Sequence, residues 1–328
     1  MYLGVDGGGT KTAYALVDDQ GRIRASLTTG SVSHLSEGFD RAASMLAEST
    51  RAVLARGGMD ASSVDFAFFG LGAYGEDSAT TPRLDALPCQ VLDASKYRCG
   101  NDMICSWAGS LACIDGISVV AGTGSMAYGE YANRSARTGG WGELIGDEGS
   151  AYWIAREGMN LFSRMSDGRA PRGRLYALVR GRLGLEQDLD LCAHLYGESA
   201  NSRAAFARFA QLVHEAAGSG DAGARVIFVR AADELVACVL ATRRALEVAD
   251  DVVLPVSYSG GAFAGSSLLA AAFRDALDAT AARFDCRVPR FPPVIGAALY
   301  AARLAGRPLT DAALATLRDQ CATAGLPP

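Results

Sequence analysis

A turn that binds phosphate needs backbone N–H groups that can come close to an anion, and Asp6-Gly7-Gly8-Gly9-Thr10-Lys11-Thr12 has that composition. Gly8 and Gly9 let the backbone approach, while Thr10, Lys11 and Thr12 add hydroxyls and a positive charge. The G-x-x-x-x-G-K-[ST] spacing is absent and an extended run follows, so this is not a Walker A loop. Asp6 places a carboxylate beside any bound phosphate, which calls for a divalent cation, expected to be Mg²⁺ held by Asp6 through water. Gly122-Thr123-Gly124-Ser125 repeats the device, and two such turns facing each other would grip both ends of a triphosphate. Ser259-Gly260-Gly261-Ala262 has the small residues that let a flat ring lie against backbone, so Gly260, Gly261 and Ala262 are expected beside a nucleotide. Taken singly, each of these segments is also an ordinary structural turn.

Two further segments suit an alcohol substrate. Asn101-Asp102 opens a helical stretch, where Asp102 either satisfies orphan N–H groups or accepts the proton of a hydroxyl that attacks phosphorus. Gly139 to Ser150 sets Trp141 among Gly139, Gly140, Gly142 and Gly146 and follows with the paired acids Asp147 and Glu148. That combination suits a polyol: backbone and carboxylates bind hydroxyls, and Trp141 packs a sugar face or orders the loop. Ser33 and His34 lie in a loop after the third extended run and are further substrate candidates, whereas His194 and His214 fall in helical stretches and read as structural.

The elements that must hold these residues alternate. Tyr2 to Asp6, Lys11 to Val17 and Arg22 to Thr28 read as strands, Gly38 to Arg56 as an amphipathic helix, and Val64 to Leu71 as a buried strand. Thr81 to Leu87 reads as a short helix, Gln90 to Asp93 as a short strand and Asn101 to Ala112 as a helix. The pattern then restarts with strands at Ile117 to Val120, Met126 to Tyr131 and Ser135 to Thr138. A mostly helical stretch from Ser150 to Leu246 leads to a strand at Val252 to Ser257, a helix at Leu268 to Ala282, a short strand at Cys286 to Val288 and a final helix from Val294 to Ala305. The predicted fold is α/β, with two copies of a βββαβαβα core and an interdomain cleft. The expected domains are residues 1–115 with a C-terminal helix from about 294–328, and residues 116–293 with a helical insertion.

Composition narrows the partners. The 328 residues carry Lys+Arg 31 against Asp+Glu 36, a net charge of −5, so nucleic acid is not an expected partner. No apolar run approaches the ~18–20 residues of a spanning helix, and Asp6 interrupts the first apolar stretch before it could serve as a signal peptide. A cytoplasmic protein without membrane contact is expected. The eight cysteines are scattered singly, with no C-x-x-C pair, and read as reduced, mostly buried thiols.

The chain resembles the N-acetylglucosamine kinase branch of the BadF/BadG/BcrA/BcrD ATPase family, within the actin, Hsp70 and sugar-kinase superfamily. The resemblance rests on GVDGGGTKT at Gly4 to Thr12, ND at Asn101-Asp102, AGTGS at Ala121 to Ser125, GGWGELIGDEGSAYWIA at Gly139 to Ala155, SGGAF at Ser259 to Phe263 and PPVIGAAL at Pro292 to Leu299. It implies two ribonuclease-H-like domains that close over ATP, Mg²⁺ and an amino sugar. Thr10 and Thr123 would contact ATP phosphates, Asp102 would deprotonate the sugar 6-hydroxyl, and Gly140, Trp141, Gly142 and Asp147 would hold the sugar. One position departs from the pattern: where the family often has asparagine after the third strand, Ser33 stands beside His34, and a hydroxyl cannot supply an amide's paired donor and acceptor. The resemblance therefore implies phosphorylation of N-acetylglucosamine, with glucosamine and N-acetylmuramic acid as alternatives, and is compatible with a homodimer. A competing role in the same broad family is an ATP-driven activator of a 2-hydroxyacyl-CoA dehydratase, which carries an iron–sulfur cluster. A sugar-responsive regulator of the ROK type would need an N-terminal helix-turn-helix, where this chain opens on a strand.

Overall fold

Near-continuous apolar runs bury the inner strands of two five-stranded sheets on both faces, while an outer strand such as Ile23–Gly30 alternates. The computed structural model describes residues 1–196 and 203–326. The chain divides into two units, one formed by Met1–Asp115 with Val288–Pro328 and the other by Gly116–Arg287.

In the first unit the strands β1 (Tyr2–Gly7), β2 (Lys11–Val17), β3 (Ile23–Gly30), β4 (Phe66–Leu71) and β5 (Tyr97–Asn101) form a sheet of order β3-β2-β1-β4-β5. β1 pairs antiparallel with β2 and parallel with β4, which pairs parallel with β5. The register sets Asp6 beside Gly70 and Leu71 beside Asn101, so the ends of three parallel strands converge on one edge. Helices α1 (His34–Glu37), α2 (Phe39–Arg56), α3 (Thr81–Asp85) and α4 (Asp102–Leu111) connect them. Leu3, Val5, Leu16 and Phe69 pack with Leu46 and Val53 of α2 on one face. The opposite face is closed by the helices that return from the far end of the chain, α13 (Pro293–Leu304) and α14 (Asp311–Thr323). Gly4 permits this return, because any side chain there would strike the α13 backbone at Val294 and Ala298.

The second unit repeats the plan with β6 (Gly116–Ala121), β7 (Ser125–Tyr131), β8 (Arg134–Gly139), β9 (Leu254–Ser259) and β10 (Phe284–Arg287) in the order β10-β9-β6-β7-β8. Between β8 and β9 lie α5 (Ala151–Ser166), α6 (Arg174–Leu183), α7 (Leu191–Tyr196), α8 (Arg203–Ala207), α9 (Ala210–Gly218) and α10 (Ala222–Ala245), and between β9 and β10 lie α11 (Gly261–Ala264) and α12 (Ser267–Asp278). Residues 197–202 of the expected helical stretch lie outside the described residues. Val119, Ala127 and Val256 of the sheet pack with Ile154, Leu235 and Phe273 of the helices.

Two expectations for elements need correction. The segment read as a strand at Gln90 to Asp93 is instead the end of a 3-10 turn over Leu87–Gln90 and a bend. Pro88 offers no N–H to a ladder, and the fifth strand lies further on at Tyr97–Asn101. The helix at Val294 to Ala305 is not the last one, since Thr310 caps α14 by accepting the Ala313 N–H.

Candidate active site

In the first unit, Gly8 donates its N–H to the Lys11 carbonyl and closes the hairpin between β1 and β2. Gly9, Thr10 and Lys11 are exposed at the tip. Thr12 belongs to the scaffold: it is fully buried, and its hydroxyl accepts the Val32 N–H. Ser31 donates to the Gly8 carbonyl, so the loop carrying Ser33 and His34 is tied to the base of the hairpin. Ser33 precedes α1 without a side-chain cap bond, and His34 lies against Phe39 with 4.7 Å between ring centroids.

Asn101 and Asp102 divide the work at the start of α4. Asn101 is the N-cap: its Oδ1 accepts the Met103 N–H at 3.1 Å and its Nδ2 donates to the Tyr74 carbonyl at 3.1 Å. These two bonds commit the Asn101 amide to the scaffold and leave the cap role of Asp102 unnecessary. Asp102 is instead the first helical residue, close to Gly70 and Gly72 at the strand ends. Gly70 is required there, because a side chain would strike the Cys105 thiol and crowd the Asp102 backbone. Asp6 faces this carboxylate. Burial, then the charge of Asp102, pushes the Asp6 carboxyl up to about 7, while Lys11 pulls the other way. Two carboxylates in one enclosed site fit a divalent cation, which would relieve their repulsion.

In the second unit, Gly122 donates to the Gly124 carbonyl, and its own carbonyl accepts the Ala151 N–H, which fixes the turn to the start of α5. Thr123 is exposed at its tip. Ser125 is held on both sides: its N–H donates to Asp147 Oδ1 at 3.2 Å and its hydroxyl to the Glu148 carbonyl at 2.6 Å. The parallel pairing of β6 and β9 brings Gly260 against Ala121 and Gly122, where a side chain would collide with backbone, so the two glycine segments meet. Beside them opens a pocket of about 370 Å³, lined by Gly122, Thr123, Gly261 and Ala262 and walled by Ile154 and Phe228. Such a pocket, with small residues at one end and apolar walls, suits a flat base with phosphates at the turn.

His214 also lines this pocket, with Nδ1 2.9 Å from the Ser266 hydroxyl and its ring edge-on to Phe228. Its helical setting concealed this, because periodicity does not say which helix face meets a cavity.

The 139–150 loop separates into exposed and buried parts. Trp141 is 75% exposed, free to meet a ligand face, and Gly140 and Gly142 adopt φ of 71° and 86° that glycine permits. Asp147 is turned inward, 3% exposed, and is ion-paired with Arg203, whose Nε also lies 3.2 Å from Glu143. Burial raises the Asp147 carboxyl above its ordinary value, against the Ser125 N–H and Arg203, which lower it. Glu148 adds like charge to the same place.

The pattern of the BadF/BadG/BcrA/BcrD ATPase family matches residues 3–301, from the first strand into α13. The chain belongs to this family. Among its relatives, an N-acetyl-D-glucosamine kinase of Dictyostelium discoideum is 28% identical over 270 residues, 80% of this chain and 85% of that one. An N-acetylmuramic acid/N-acetylglucosamine kinase of Clostridium acetobutylicum is 32% identical over 179 residues, 54% of this chain and 58% of that one. Among solved structures, a candidate N-acetylglucosamine kinase from Chromobacterium violaceum is 27% identical with a TM-score of 0.67, covering 90% of this chain and 97% of that one. A ROK hexokinase from Thermus thermophilus, 17% identical with a TM-score of 0.57 over 92% and 99% of the two chains, shares the fold. Among the described residues, no helix is long and apolar enough to cross a membrane.

Proposed function

We propose that the protein is an ATP-dependent kinase that phosphorylates the 6-hydroxyl of an amino sugar, N-acetylglucosamine first among them. The observation that carries this reading is Asp102: Asn101 already caps α4, and the carboxylate stands at the converging strand ends, near Gly72 and facing Asp6. Membership of an ATPase family and the names of the relatives support the nucleotide and the sugar. In this reading the first unit, closed by its C-terminal helices, supplies the base, and the second, with its helical insertion, supplies the nucleotide pocket.

Asp102 accepts the proton of the sugar hydroxyl as its oxygen attacks the γ-phosphorus. The exposed N–H groups near Gly9, Thr10 and Thr123 bind phosphate oxygens, and Gly261 and Ala262 lie along the nucleoside. Asp6 would hold Mg²⁺ through water; the cation would supply charge neutralisation at the phosphates. Trp141 covers a sugar face, and Gly140, Gly142, Asp147, Glu148, Ser33 and His34 meet its hydroxyls and the substituent at C2. With ATP as a substrate, the enzyme is read as a cytosolic one.

The test is ADP release with Mg²⁺ and ATP, comparing N-acetylglucosamine, glucosamine, N-acetylmuramic acid, glucose and no sugar. Strong turnover with one amino sugar is expected. A rate equal to the blank with every sugar removes the kinase reading.

A further inference from the structure

The second glycine turn carries a cation that no motif announces. A methyl group built on Gly124 would collide with the Arg203 guanidinium and lie 2.8 Å from Asp147 Oδ2, so the guanidinium rests directly on the turn. Asp147 and Glu143 hold it there, with Nε 3.2 Å from Glu143, while its side chain remains 38% exposed. Arg203 opens α8, and the next residues of that helix, Ala204 and Ala207, line the same pocket as Gly122 and Thr123. One short helix therefore touches the pocket wall and sets a guanidinium at the phosphate end of the pocket.

Charge balance gives this placement its meaning. Asp147 and Glu143 hold the guanidinium against the turn and Glu148 adds like charge to Asp147, so a polyphosphate brought to Gly122–Ser125 would meet acidic side chains. The guanidinium offsets them and has a planar fork of N–H donors that matches phosphate oxygens.

Resting on the kinase reading above, we propose that Arg203 is a catalytic residue: its guanidinium, laid over Gly124, contacts the terminal phosphate of the bound nucleotide and neutralises charge on the phosphoryl group in transit. The bond from the γ-phosphorus to the ADP oxygen breaks, and the bond from that phosphorus to the sugar oxygen forms. The hydroxyl proton goes to Asp102. Arg203 donates hydrogen bonds throughout and exchanges neither proton nor electrons.

The experiment pairs kinetics with nucleotide titration on Arg203→Ala and Arg203→Lys in the full chain. Arg203→Ala is expected to lower kcat by about 100-fold or more, as loss of a phosphate-directed arginine does. The KM for sugar should move by less than about threefold, since Arg203 meets the terminal phosphate of the nucleotide and not the sugar. Lysine should restore only a small part, because it lacks the fork, and added guanidinium chloride should partly rescue Arg203→Ala. By titration, wild type should hold a non-hydrolysable ATP analogue more tightly than AMP, and Arg203→Ala should lose most of that difference. Unchanged or raised kcat with a lowered sugar KM would overturn the proposal and make Arg203 a latch on Asp147. If wild type turns over no sugar, the kinase reading fails by itself. The titration then still decides: an analogue-to-AMP preference unaltered in both variants overturns the role of Arg203.

Discussion

The two glycine turns occupy equivalent places in two copies of one topology, yet they handle negative charge in opposite ways. In the first unit, Asp6 and Asp102 are pressed together with Lys11 as the opposing charge, and Asp6 holds its proton up to about 7. In the second, Asp147 and Glu143 are already bound to Arg203, which lies on the turn itself. The shared topology supplies the backbone device twice, and side chains from elsewhere in each unit leave one turn short of positive charge and the other supplied with it. The first suits a divalent cation and a base, the second a phosphate chain.

The comparison breaks most visibly at Asp102. Asp102→Asn keeps the shape and removes the carboxylate proposed as the base, so steady-state kinetics should show kcat lower by about 10²–10⁴-fold, with nucleotide affinity retained because the pocket proposed for the nucleotide lies in the second unit. Retention of more than about a tenth of the wild-type rate would take the base role from Asp102.

Equivalent substitutions in the two turns should differ next in stability. A methyl group at Gly9 meets no atom within 4 Å, whereas at Gly124 it strikes Arg203 and crowds Asp147. Denaturant melts of the ligand-free protein should place Gly124→Ala about 1–3 kcal/mol below wild type and Gly9→Ala within about 0.5 kcal/mol of it. Equal losses would mean that the second turn is not packed by its arginine.

A smaller effect lies in pH dependence. In the folded chain Asp6 binds its proton up to about 7, and in the unfolded chain it releases it near the ordinary carboxylate value of 3.8. Between those values the folded state carries the extra proton, so its stability is greatest below the unfolded pKa and falls as pH rises toward 7. Melting temperatures from pH 4 to pH 8 should show this decline without ligand, and Asp6→Asn should flatten it. A slope that survives in Asp6→Asn would assign the repulsion to another group.

Both glycine turns and the repeated topology were legible because clustered glycines and alternating apolar runs are local signals. The fifth strand was not: Tyr97–Asn101 is short, polar and contains Gly100, and its pairing partner lies far back in the chain. Thr12 and Asn101 have the right chemistry for ligands, and only their partners, Val32, Met103 and Tyr74, show that they serve the scaffold. Arg203 lies 56 residues beyond Asp147, one arginine among many, and nothing local connects it to the turn it covers. His214 was concealed in the same way, since its place at the pocket depends on how α9 packs.

The most direct measurement is the position of the transferred phosphate. The full chain, given Mg²⁺, ATP and carbon-13-labelled N-acetylglucosamine, should release ADP in step with a product whose carbon-6 signal shows coupling to phosphorus. Coupling at carbon 1, or no sugar-dependent ADP with any amino sugar tested, would contradict a base at Asp102 acting on the 6-hydroxyl.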